Sequence, residues 1–219
     1  MEAILFGSIG TLVETSEMQR KSFNLAFKEV GLDWYWNTAT YCKLITQPGG
    51  MKRIKDFGEN NLSDKEVKRI HGLKEEFFAK LIGRKLYLRQ TVNDVIRHAI
   101  KNKIKLGFIT TTSQNNINII RDGVKSELNF NIFELITTSS DVVNPKPHPD
   151  IYKFAIDKLG VKKDKALVIE DTTVNFGAAI KAGLRCILFP GEYAEVPEGN
   201  KYHTLTYDLM KKVRPELGT

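Results

Sequence analysis

Cysteine is scarce in this chain: Cys42 and Cys186 are the two among 219 residues. They lie far apart and match no metal-ligand spacing, so a zinc or iron–sulfur framework is excluded. Both sit among apolar or aromatic neighbours, which predicts buried free thiols and suits a reducing compartment. Long hydrophobic runs are missing too; none approaches the roughly 20 residues that a membrane-spanning helix needs. There is no low-complexity tract and no repeat of fixed period. The first strand pattern starts at Ala3, directly behind Met1, which leaves no room for a secretory leader. A cytoplasmic protein with no membrane partner is expected.

What is present is ordinary for a globular protein, with 42% hydrophobic and 27% charged residues. A chain of this length suits one α/β domain with an inserted subdomain, and buries roughly 70% of its extended surface. The net charge of +7 invites a nucleic-acid reading. The lysines, however, are mixed with acids along helical patterns, as in "SDKEVKRIHGLKEEFFAK", and no stripe of interleaved basic and aromatic residues occurs. Attraction of an anionic small molecule is the more economical use of the charge. A monomer or weak dimer is expected.

Five short, continuous apolar runs read as buried parallel strands: 3–6, 105–110, 134–138, 166–169 and 185–188. Helical patterns alternate with the later ones. Val92, Val95, Ile96 and Ala99 share one stripe, and so do Ile151, Phe154, Ala155 and Leu159, with Gly160 as the stop signal. This alternation predicts a doubly wound, Rossmann-like parallel sheet. Residues 14–88 break the rhythm with an all-helical insertion. Ser16 with Gln19 and Ser63 with Glu66 match capping boxes, and Phe23, Phe27, Val30, Val67, Ile70, Phe77 and Leu81 follow as apolar positions. The core is therefore expected in residues 1–13 and 89–219, and a cap in 14–88. Ligands of open α/β sheets bind beyond the carboxyl ends of the strands, where such an insertion would sit as a lid.

The strand ends carry the chemistry. Strand one runs into Gly7-Ser8-Ile9-Gly10-Thr11, strand two into Thr110-Thr111-Thr112-Ser113, and strand four into Glu170-Asp171. Lys146 stands between prolines in "NPKPHPD". Taken singly, each has a bland reading: hydroxyls after a strand cap the next helix, Lys146 is a solvated loop lysine, and Glu170-Asp171 is an N-cap pair. Their shared placement at strand ends instead suggests a phosphate site with a metal corner.

In that order these segments resemble the haloacid dehalogenase superfamily, in the helical-cap branch, over essentially the whole chain. Members open with Phe-Asp-x-Asp-Gly-Thr-Leu, where this sequence has Phe6-Gly7-Ser8-Ile9-Gly10-Thr11-Leu12. Thr110 falls on the second-motif hydroxyl, Lys146 on the motif lysine, and Glu170 and Asp171 on the acidic fourth motif. Within the branch, "ETSEMQRKSFNLAFKEVGLDWYWN", "GGMKRI", "TTTS" and "FPGEYA" look most like xylulose bisphosphate phosphatases.

The resemblance implies a HAD-like fold and a magnesium-dependent hydrolase. Its first aspartate attacks phosphorus, and its second, two residues on, moves protons. Those positions are Gly7 and Ile9 here, so no intact catalytic pair is present. Ser8 is the remaining candidate nucleophile; strand alternation points it away from the site, with no adjacent base. The resemblance further implies phosphate binding by Thr11, Thr110, Thr111 and Lys146. It implies substrate contacts from Glu14, Thr15, Arg20 and Arg53, and magnesium at Glu170 and Asp171, where the lost ligands leave it weakly held or absent. Gln19 replaces a histidine of those phosphatases, and Met51-Lys52 a Lys-Glu pair, so the far end of the pocket has changed. The expectation is a degenerate phosphatase that binds a phosphorylated small metabolite. The alternatives are an active but divergent phosphatase and an interaction module on a retired enzyme fold.

Overall fold

The computed structural model describes residues 1–83, 86–196, 198 and 206–215. Residues 84–85 of the expected cap, and 197, 199–205 and 216–219 of the expected core, lie outside the described residues. Five parallel strands form one sheet in the order β3-β2-β1-β4-β5: β1 Ala3–Phe6, β2 Lys105–Phe108, β3 Leu135–Ile136, β4 Ala166–Glu170 and β5 Arg185–Leu188. β1 lies at the centre, with Phe6 in register with Phe108 on one side and Ile169 on the other. Helices cover both faces, so the residues of β1 are buried on both sides, which accounts for its unbroken apolar run.

β2 and β3 are shorter than the apolar runs that encode them. The ladder nevertheless continues past their ends, through Ile109 N–H to Phe6 O (2.7 Å) and Thr137 N–H to Phe108 O (3.0 Å). The residues beyond have left regular pairing and curve towards the site.

One face packs α6 (Val92–Lys101) and α7 (Gln114–Val124) against Ile4, Phe6, Leu106 and Phe108. The other packs α8 (Asp150–Leu159) and α9 (Thr173–Lys181) against Ala3, Leu5 and Val168. The stripe in α6 is buried as its spacing requires. In α8 Ile151, Ala155 and Leu159 are buried, Phe154 is partly so, and Gly160 closes the helix with φ 63°.

Between β1 and β2 the chain forms a one-turn helix α1 (Ile9–Leu12), then α2 (Ser16–Glu29), α3 (Thr38–Leu44), α4 (Gly50–Phe57) and α5 (Asp64–Ile82). Its two connections are joined at the base, where Arg89 N–H donates to Leu12 O at 2.8 Å. α2 to α5 enclose their own aromatic core of Phe23, Phe27, Trp36 and Tyr41 with Ile54, Val67 and Ile70. The Ser63–Glu66 capping box is present, with Ser63 N–H to Glu66 Oε2 at 2.8 Å. The Ser16–Gln19 box is not. Thr15 is the N-cap residue and Ser16 N–H donates to Glu14 Oε1 (2.8 Å), so a preceding carboxylate meets the free amide instead. Leu81 is exposed, while Phe78 and Ile82 bury, because the last turns of α5 pack on the sheet domain rather than on the insertion. Both cysteines are free and half-buried; burial raises the pKa of the Cys186 thiol.

Candidate functional site

Parallel pairing brings the carboxyl ends of β1, β2 and β4 side by side, and the helical insertion closes over them. A cavity of about 540 Å³ lies between the two. Its floor is the turn Gly7–Gly10, Thr110 to Ser113, Lys146, Asp171 and Thr172; its roof includes Thr15, Gln19, Gly50, Lys52, Arg53 and His71. Lys52, Arg53, His71 and Lys146 line it against one carboxylate, Asp171, together with many hydroxyls; burial lowers the pKa of His71, so Lys52 and Arg53 are the cations that favour an anion there.

Beneath the floor lies a buried polar cluster. The Lys146 ammonium, 5% exposed, donates to Gly7 O, to Ile109 O at 2.9 Å and to Glu170 Oε1 at 2.5 Å. Glu170, fully buried, also accepts from the Tyr152 hydroxyl. Burial and the Glu170 charge raise the Tyr152 pKa well above its usual value. A lysine ammonium has three N–H donors, and all three are engaged. Lys146 lines the cavity, and in this arrangement its three N–H groups are directed at protein acceptors.

Gly7 is not an empty place. A Cβ built there would meet the Tyr152 hydroxyl at 2.5 Å and the Glu170 carboxylate closer still. The space of the absent side chain is filled by Glu170. At Gly10 an added Cβ would collide with the Asp171 carboxylate.

Burial and the charge of Glu170 raise the pKa of Asp171 to about 6, against the opposing pull of the Ser8 hydroxyl and Lys146. Neither Ser8 Oγ nor Asp171 Oδ1, both buried, makes a well-formed hydrogen bond among the described residues. Ser8 therefore stands at the site with a carboxyl neighbour, where alternation predicted an outward side chain without a base. The reason is local: the strand ends at Phe6, and Ser8 is already the N-cap of α1.

The remaining candidates separate. Thr110 and Thr111 line the cavity, and Thr110 Oγ1 also accepts from Thr112 N–H at 3.2 Å. Thr11 is buried and its hydroxyl is spent on Ser8 O (2.6 Å), so it braces the turn and is absent from the cavity lining. Glu14 lies outside the cavity; its other oxygen accepts from Glu192 N–H at 2.8 Å and ties the insertion's entry to the loop after β5. Arg20 is buried in the insertion, where it donates to Trp36 O (2.8 Å) and pairs with Glu17 (2.7 Å). Arg53 does reach the cavity, held by bonds to Leu44 O and Gln47 O, both 2.9 Å.

Sequence reasoning passed over His71, which sits on the roof with Nε2 against Gly50. Behind it Glu75 accepts from Ser113 Oγ (2.6 Å) and Asn115 Nδ2 (2.9 Å), and so fastens the insertion to the sheet domain. Nothing in local spacing signals this. Arg89 escaped notice for the same reason: it donates to Gly10 O (2.7 Å), Phe189 O (2.9 Å) and Pro190 O (2.6 Å), and holds the turn from behind.

A magnesium ion takes about six oxygen ligands in near-ideal octahedral geometry. Gly7 and Ile9 bring no side-chain oxygen, Gly7 O is turned to Lys146, and Glu170 is engaged with Lys146 and Tyr152. Asp171 is the one carboxylate left on the cavity wall, and no group of three or more potential ligands is assembled among the described residues. The residues present do not fit the ion.

The haloacid dehalogenase-like hydrolase family model matches residues 4–189. Protein CbbY of Cereibacter sphaeroides is 37% identical over 90% of this chain and 88% of its own length. Protein CbbY of Rhodobacter capsulatus is 33% identical over 88% and 87%. Among solved structures, a mutant of CbbY from Rhodobacter sphaeroides in complex with xylulose-(1,5)bisphosphate superposes with a TM-score of 0.82 at 36% identity, covering 92% of each chain. The same protein in complex with phosphate gives 0.81 at 35% identity, covering 93% of this chain and 91% of that one.

Proposed function

The chain belongs to the haloacid dehalogenase-like hydrolase family, and from that premise we propose that it binds a phosphorylated small metabolite without hydrolysing it efficiently. It is a CbbY-like, sugar-phosphate phosphatase-like protein by sequence and fold. The observation that carries the proposal is the pairing of an anion-favouring cavity under an intact cap with Gly7 and Ile9 at the two reactive positions. Glycine has no attacking oxygen and isoleucine cannot carry a proton. Loss of the covalent nucleophile in a comparable hydrolase lowers kcat on the order of 10⁶-fold, about 8 kcal/mol of barrier. Loss of the acid/base adds less than its separate effect, because the two groups act as a unit.

Binding is supported by the groups left free. The Thr110 and Thr111 hydroxyls and Arg53 remain on the wall. Changed residues at the roof, with Gln19, Met51 and Lys52 among them, favour a ligand different from xylulose bisphosphate. Isothermal titration with inorganic phosphate and with a panel of sugar phosphates and bisphosphates tests the reading, alongside turnover of a general phosphate ester. Binding without turnover is expected. Turnover at the rate of an active phosphatase, or no binding across the panel, overturns it.

A second reading has one observation in its favour. Ser8 lies at the cavity floor beside Asp171, a carboxyl whose pKa is raised to about 6. A slow phosphatase using that hydroxyl would lose its activity in Ser8→Ala, whereas background hydrolysis would not change.

A further inference from the structure

We infer that Glu170 is a resident anion: its carboxylate occupies the space of a position-7 side chain and neutralises Lys146, so an incoming oxyanion competes with Glu170 for that ammonium instead of being bridged by a divalent cation. Three observations carry this. The Cβ position of residue 7 runs into the Glu170 carboxylate and the Tyr152 hydroxyl. Lys146, buried under the floor, has all three donors engaged, one of them by Glu170 at 2.5 Å. Tyr152 holds Glu170 inward from the opposite side.

The physical cause is electrostatic. A buried ammonium without a counter-charge is costly, and removing one partner of a buried pair is strongly destabilising. With glycine at position 7, the nearest carboxylate able to reach Lys146 is that of Glu170, and the empty volume above Gly7 admits it. Once turned inward, Glu170 is lost to the cavity wall. The pair is self-neutralised, the floor has no cluster of carboxylates to attract a cation, and Lys146 becomes available only if the pair opens.

The cation half of this inference stands apart from the proposed ligand; the competition half rests on the phosphate-binding reading. Titration of the wild-type chain with Mn²⁺, followed by the loss of the free-ion electron paramagnetic resonance signal, reads the first half. No stoichiometric binding at millimolar cation is expected, and one bound ion per chain overturns it. Calorimetry with inorganic phosphate, with and without Mg²⁺, compares wild type with Glu170→Gln. The neutral amide leaves Lys146 to the ligand, and an affinity gain of about tenfold is expected, the equivalent of one 1.4 kcal/mol step. Tyr152→Phe keeps the ion pair while loosening it, and covers the case in which Glu170→Gln does not fold; a smaller gain of the same sign is expected. No gain in either variant, or wild-type binding that requires Mg²⁺, overturns the competition. Failure of phosphate to bind any of the three proteins sinks the competition alone; the proposed function falls only if the sugar phosphates and bisphosphates fail as well, and the manganese titration still decides the cation half.

Discussion

Alanine at position 7 is expected to damage the protein more than the larger, charged aspartate. Gly7 does not have a positive φ, so the effect is not one of backbone strain. A Cβ there displaces Glu170 from a place that it shares with the Tyr152 hydroxyl. In Gly7→Ala nothing replaces the carboxylate that is pushed away, and Lys146 is left buried with backbone carbonyls as its remaining acceptors. Overpacking costs about 1–3 kcal/mol, and complete loss of one partner of a buried pair about 3–5 kcal/mol. With the pair partly separated, about 3 kcal/mol is expected. For a chain of this size that is a fall in Tm of about 6–12 °C. Gly7→Asp makes the same collision, but its own carboxylate can take Glu170's place at Lys146, so no charge is orphaned and a loss of about 1 kcal/mol is expected. With Ile9→Asp added and Glu170 released to the cavity wall, three or more carboxylates again face one another. Millimolar Mg²⁺ then raises Tm in the double variant and leaves the wild type unchanged. Differential scanning calorimetry reads all of these. A Gly7→Asp melt below that of Gly7→Ala, or two variants as stable as wild type, would refute the reasoning, since the first denies the charge replacement and the second the filled space.

Lys146→Met leaves Glu170 buried without a counter-charge, with the Tyr152 hydroxyl and the Asp171 N–H as its donors, and a loss of about 3–5 kcal/mol is expected in urea unfolding. Lys74→Met is expected to do the opposite. The Lys74 ammonium is buried between the Phe23 and Phe78 rings, 5.3 and 4.8 Å from their centres, and burial lowers its pKa from 10.5 to about 8. A base whose folded pKa is depressed costs stability while charged. That cost is in full force below about pH 8, where it amounts to at most about 3 kcal/mol, and fades as pH rises towards the unfolded value. Thermal melts should show Lys74→Met stabilised at pH 7, with the advantage shrinking by about pH 10; a constant difference between the two pH values would contradict this. Arg89→Ala strands the carbonyls of Gly10, Phe189 and Pro190, and a loss of about 3 kcal/mol is expected, with weaker phosphate binding because the turn loses its rear support; an unchanged calorimetric affinity would show that the turn holds itself.

Much of this molecule is legible from its residues alone, because the relevant signals are local. Continuous apolar runs mark strands buried on both faces, and those at 3–6 and 185–188 coincide with β1 and β5. Helical stripes and the Ser63–Glu66 box act over one or two turns and fold as their spacing requires. Gly7 and Ile9 are equally plain, since the absence of a carboxylate needs no coordinates. What spacing could not show is where a long side chain ends. Arg20 and Glu14 carry charges that suit a ligand, yet one satisfies Trp36 O inside the insertion and the other an amide 178 residues away. His71 reaches the cavity because α5 lies across it, a matter of helix packing. The burial of a basic group against three acceptors at Lys146 needs β1, β2 and β4 side by side.

The sequence by itself determined the parallel α/β sheet, the helical insertion after the first strand and the missing reactive pair, since each is written in the chemistry of neighbouring residues. Only the tertiary structure decided that Glu170 fills the vacancy at Gly7. Residues 163 positions apart meet there because strand pairing places them together, and a buried ammonium must find a counter-charge wherever the fold offers one.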